Sequence, residues 1–162
     1  MTKFKVLLFT VTNILRLSGL GAISLGIMGL VFLFEHLDRT QDYQQIFLFI
    51  LLSFGLSVCL FITAHALSKL QTWAKITASI LGVVNILLTI LFFKFLPFSI
   101  ANVYFGIGSL SFLSIFIPNE KIDSKIFKNK NMNTTISIIT ILLYLSVSLL
   151  LFISIGVSSI EE

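Results

Sequence analysis

The sequence predicts an all-α fold: a polytopic integral membrane helical bundle of about five transmembrane helices, forming one membrane domain over residues 1–162, with a cytoplasmic N-terminus. Three observations carry that expectation. Hydrophobic residues make up 57% of the chain and charged residues 11%, where a soluble domain carries about 25% charged residues. Mean hydropathy is +1.06. The apolar residues fall into runs of about 20, the length of one helical crossing, and the basic residues gather in alternate connections. A soluble domain of this length could not bury so much Leu, Ile and Phe, because its surface must still be covered by polar groups.

The first element is residues 3–16. Phe4, Leu7, Leu8, Val11, Ile14 and Leu15 recur at three- and four-residue steps, with Lys5, Thr12, Asn13 and Arg16 largely elsewhere around the helix. That pattern fits a helix lying in the inner interface, and equally the start of a longer, tilted first span. The opening MTKFKVLLFTV has a basic start and a short apolar run like a signal peptide. Hydrophobicity then resumes after Arg16 without a small-residue cleavage site, so the segment is expected to be retained.

Spans follow over about 17–34, 45–67, 73–93, 98–117 and 135–157. Backbone groups cannot go unpaired in hydrocarbon, so each must be helical. The third and fourth are separated by inference from the stretch LFFKFLPFS at 91–99. As one helix, the apolar run from Ile76 to Ile117 would reach about 60 Å, twice the hydrocarbon thickness of about 30 Å. Pro97 stops a helix just before it, and Lys94 on its long stem reaches headgroups from a helix end. The stretch therefore reads as a turn at the membrane surface.

Five spans with the N-terminus inside place Lys3, Lys5, Arg16, Lys69, Lys75, Lys121, Lys125, Lys128 and Lys130 on the cytoplasmic side, nine of the eleven basic residues. Arg39 and Lys94 fall outside with Glu35, Asp38, Asp42, Glu161 and Glu162. The positive-inside bias favours this orientation. A re-entrant segment around Pro97, which would return the C-terminus to the inside, is the competing arrangement.

Small residues mark the expected packing faces. Ser18, Ala22 and Gly26 repeat at four-residue spacing in the first span, and Ala74, Ala78 and Gly82 in the third. Such stripes let two backbones approach closely in lipid, either within the bundle or against a partner. The third-span stripe continues to Asn85 and Thr89. Ser99, Asn102, Gly106 and Ser109 in the fourth span, and Ser137, Thr140, Tyr144 and Ser148 in the fifth, add amides and hydroxyls. A buried amide needs partners. Two readings follow: interhelical hydrogen bonding, or a polar path using His65, Asn85, Asn102 and Tyr144. His65 lies near the cytoplasmic end of the second span, where a histidine can titrate, bind a ligand or sit in the interface.

No Asp or Glu lies within a predicted span, so a carboxylate relay is not expected. The sequence has no HExxH, GxSxG or P-loop, and Gly106-Ile107-Gly108 lacks the preceding strand a nucleotide site requires. Cys59 is the single cysteine, which leaves neither a disulfide within the chain nor a Cys/His metal spacing. Glu35, His36 and Asp38 carry metal-binding side chains, but spacing alone does not place them around one ion. No catalytic, cofactor or metal residues are expected.

The largest polar segment, PNEKIDSKIFKNKNMNTT, puts Lys121, Lys125 and Lys128 on one helical face, followed by Lys130. Anionic headgroups of the cytoplasmic leaflet would favour each by about 1 kcal/mol. The same lysines can alternatively dock a partner.

The segment ALSKLQTWAKITASILGVVNIL, a proline-marked turn and YFGIGSLSFLSIFIP resemble a loose group of small bacterial four-helix membrane proteins. Those have a basic, tryptophan-containing helix entry, a short Phe-Pro turn and a glycine-bearing next helix. The resemblance covers about residues 66–118 and implies a helical hairpin. Lys75 stands where that group more usually has arginine, the turn is longer and a fifth helix is added, and the resemblance implies no activity.

The expectation that follows is a non-enzymatic membrane protein that acts by binding: a subunit, assembly factor or protective partner of a larger membrane complex in a bacterial inner membrane. Its partners would be the bilayer and other membrane subunits or further copies of itself, with no nucleic acid. A small oligomeric channel or transporter is the alternative, and an intramembrane enzyme has the least support because no nucleophile and base can be paired.

Overall fold

The structure, a computed structural model, describes residues 2–35, 43–91, 98–117 and 130–158. Within them the chain forms α1 (Thr2–Glu35), α2 (Tyr43–Ser68), α3 (Thr72–Leu91), α4 (Phe98–Phe112) with a 3-10 turn over Leu113–Phe116, and α5 (Lys130–Ser158). There is no strand among the described residues. This is an all-α membrane-protein fold: α1, α2, α3 and α5 are each long and apolar enough to cross a bilayer. The fourth helix is shorter, with 15 α-helical residues. At about 1.5 Å per residue, and about 2.0 Å for each residue of its 3-10 extension, it reaches about 30 Å.

Neighbouring contacts set the helix directions. Gly19 faces Phe61, Gly26 faces Phe54 and Gly29 faces Ile50, so α1 and α2 run antiparallel. Gly82 meets Gly108 and Phe112, and Lys75 meets Ile117, so α3 and α4 are antiparallel too. Thr77 bonds Ser137 and Tyr144 bonds Asn85 at nearly the same offset, which makes α5 parallel to α3. The hairpins α1–α2 and α3–α4 close a four-helix ring through α2–α3 and α1–α4 contacts, and α5 packs on α2 and α3. The core cluster runs through Leu56, Leu60, Ala64 and Leu67 of α2, Ala74, Ala78 and Leu81 of α3, and Val11, Leu15 and Ala22 of α1.

Residues 3–16 are continuous with 17–34, and their helix belongs to the bundle. Val11 is fully buried and Thr12 and Leu15 nearly so. The periodicity that suggests a surface helix is real, but its apolar side rests on protein, and Thr12, which that reading assigns to the polar side, is enclosed. The fifth helix starts at Lys130, ahead of the expected 135. The polar turn there lowers hydropathy without breaking the helix, since Thr134 and Thr135 donate back to the carbonyls of Lys130 and Asn131.

A short turn joins α2 to α3. Gln71 N–H bonds the Ala66 carbonyl and Leu70 N–H that of Leu67, the paired bonds of a Schellman ending. Leu70 takes φ 56° there, a left-handed conformation that glycine usually supplies. At the far end of α4, Ile117 is extended at φ −67°, ψ 123°, as the following Pro118 requires. The expected surface turn with Lys94 and Pro97 falls between α3 and α4, outside the described residues.

Candidate functional site

Two polar constellations interrupt the apolar interior. The first lies where all five helices converge. Asn85 on α3 is only 4% exposed. The Tyr144 hydroxyl of α5 donates to its Oδ1 at 3.2 Å, and its backbone carbonyl accepts from the Thr89 hydroxyl at 2.8 Å. The Tyr144 hydroxyl thereby gives the side-chain amide a partner that the surrounding leucines cannot offer. Beside the pair is a small cavity whose wall includes Ser18 of α1, Leu60 of α2, Ser111 of α4 and Tyr144.

The second constellation holds the cytoplasm-predicted end of the α3–α4 hairpin. Lys75 is 3% exposed, and its Nζ donates to the Ile117 carbonyl at 2.8 Å. Ser79 Oγ bonds the Lys75 carbonyl at 2.9 Å, the Phe112 carbonyl at 3.2 Å and Ser114 Oγ at 3.0 Å. Ser114 Oγ also reaches the Lys75 carbonyl at 3.2 Å. The last carbonyls of a helix have no partner within it, and a cation there also meets the negative end of the helix dipole. Lys75 thus acts as a cap across the hairpin. Its sequence context reads as a surface charge at a helix end. The signal that points inward is Ser79, one turn later on the same face.

The residues of the expected polar path do not assemble. Asn85 and Tyr144 meet, while Asn102 on α4 and His65 on α2 are exposed. Gly106 faces open space, and Ser109 bonds its own helix at the Phe105 carbonyl. The face of α4 turned inward instead carries Gly108, Ser111 and Ser114.

The small-residue stripes lie within the bundle. Ala22, Gly26, Ala74, Ala78 and Gly82 are buried and Ser18 is half-buried. Gly26 packs under the Phe54 ring. A Cβ on Gly82 would stand 2.6 Å from the Gly108 carbonyl oxygen and 2.5 Å from the Phe112 nitrogen, so the α3 and α4 backbones touch. Lys130 is exposed. Lys121, Lys125 and Lys128, and the acidic connection with His36 and Asp38, lie outside the described residues. Among the described residues no group of three or more His, Cys, Asp or Glu side chains could hold a metal.

Comparison of the chain with protein-family models, with curated proteins and with solved structures gives no match.

Proposed function

We propose that this protein is a non-enzymatic component of a larger membrane complex, acting as a subunit, assembly factor or protective partner, in a bacterial cytoplasmic membrane with its N-terminus inside. One observation carries the reading: several interior polar side chains bond from helix to helix and do not line a continuous path. Asn85 with Tyr144, Thr77 with Ser137, and Lys75 with Ser79, Ser114 and Ile117 join helices together. That leaves the outer surface as the part able to act. A conduction path, the other reading the sequence raises, has less support, because His65 and Asn102 lie outside the Asn85–Tyr144 contact. The likeness of residues 66–118 to small bacterial four-helix membrane proteins is part of this proposal and adds only the hairpin.

The outer surface carries a long apolar face on α1 beyond the exposed Arg16. Leu17, Leu20, Ile27, Met28 and Val31 of α1 are exposed, and Gly21 between them has nothing within 4 Å. Lipid and protein can both cover such a face, since lipid tails are as apolar as leucine. The test is native mass spectrometry of the complex extracted from its own membrane in mild detergent. A mass that requires other polypeptides is the expected result. A monomer or a pure homo-oligomer would overturn the accessory reading.

A further inference from the structure

The cavity beside Asn85 has features that the interhelical hydrogen bonds do not explain. It leaves about 10 Å³ for the centre of a water molecule, close to the least that one water needs. Most of its wall is leucine and isoleucine, but Ser18, Asn85, Ser111 and Tyr144 all contribute to it. These four polar residues come from α1, α3, α4 and α5, so a molecule in the cavity would touch four helices at once.

Its serines also differ from a set of hydroxyls satisfied within their own helices, and unlike Thr12 and Ser53, whose buried hydroxyls also lack a partner among the described residues, they adjoin a water-sized space. Thr63, Thr77, Ser79, Thr89 and Thr140 each donate to the carbonyl four residues back, the usual way a hydroxyl is satisfied within a helix. Ser18 and Ser111 make no side-chain hydrogen bond among the described residues. Ser111 is nevertheless only 4% exposed. A hydroxyl on a residue so buried is satisfied by protein or by ordered water in nearly all folded proteins, and here the described residues offer it no partner while a water-sized space adjoins it.

We propose that this cavity holds one resident water molecule, bonded to Ser111 and Ser18 and to the Asn85–Tyr144 pair, which fastens α1 and α4 to α3 and α5. A water has two protons to give and two lone pairs to accept with, and a buried water ordinarily makes about three hydrogen bonds. The serine hydroxyls, the Asn85 amide and the Tyr144 oxygen supply both kinds of group. The site joins α1 to α4, the pair that closes the helical ring with limited direct contact. The assignment is independent of any partner the protein has.

The test is water-to-protein magnetisation transfer by NMR on the full chain in lipid nanodiscs, with asparagine side chains labelled with nitrogen-15 and Asn85 assigned by its loss in Asn85→Leu. The expected result is a cross-peak from the Asn85 side-chain amide to a long-lived water. It should disappear in Ser111→Val, which removes the hydroxyl and fills the space with a methyl, while the Asn85 resonance itself remains. Ser18→Val, at a less enclosed position, gives the same reading if the first variant fails to fold. A wild-type protein without the cross-peak would overturn the proposal, as would a peak at acyl-chain frequencies in its place. So would a water peak unchanged by both serine variants, since that water would sit elsewhere.

Discussion

At the scale of single residues, the bundle is joined by a few polar side chains that bond from one helix to another. The Tyr144 hydroxyl and Asn85 amide meet between α5 and α3, and interhelical bonds of this kind contribute about 1 kcal/mol. Tyr144→Phe is therefore expected to lower stability by about 1 kcal/mol, read as the shift in a denaturant titration in detergent. Asn85→Leu should cost a similar amount. The double variant should cost less than the sum, because each change removes the same contact. Additive losses would mean the two side chains work separately. Lys75 is the stronger case. Lys75→Met keeps the stem and deletes the donor, leaving the buried Ile117 carbonyl without that partner. The expected loss is about 1–3 kcal/mol, and an unchanged midpoint would show that the cap carries no weight. The burial of this lysine is not legible in sequence, because a lysine near a span end ordinarily reaches the headgroups. The open end of the hairpin, where Ser79 and Ser114 lie beside the Ile117 carbonyl, gives the charge an inward partner.

At the scale of elements, close approach separates the seams. Gly82 and Gly108 put α3 and α4 in backbone contact, with the obstructing atoms belonging to the main chain, so an added methyl can be accommodated only by moving a helix. Gly82→Ala should destabilise the protein by about 1–3 kcal/mol, the usual cost of overpacking. Gly106→Ala, with nothing within 4 Å, is the control and should leave the melting temperature nearly unchanged. Equal effects at the two positions would refute the contact. Gly26 is intermediate, since what it meets is the Phe54 ring, which can swing aside. The existence of the helices is legible because hydrocarbon demands about 20 apolar residues per crossing. Which face of α4 turns inward is not. In a soluble helix polarity marks the outer side, whereas here both sides are apolar, and the stripe of Asn102, Gly106 and Ser109 looks as good on paper as Gly108, Ser111 and Ser114. The tie is broken by Gly82 across the seam, a contact that no local pattern contains.

At the scale of the whole molecule, the alternation of the five described helices fixes where the start of α1 and the end of α5 stand. The antiparallel pairs α1–α2 and α3–α4, the short α2–α3 turn and the parallel α3–α5 pair make α1, α3 and α5 point the same way. The start of α1 and the end of α5 therefore lie at opposite ends of the bundle. Lys5, Lys69, Lys75 and Lys130 all belong to the end where α1 begins, and the positive-inside rule would make that end cytoplasmic. The decisive step is α5. If it were absent from the membrane or ran the other way, the Thr77–Ser137 and Asn85–Tyr144 bonds could not both form at the same offset. A reporter fused ahead of Met1 should accordingly be active in the cytoplasm, and a reporter fused after Glu162 should be active only on the far side. Cytoplasmic activity of both fusions would reject the parallel placement of α5. Activity exchanged between them would keep the bundle and reverse its orientation, separating the packing argument from the charge argument in one experiment.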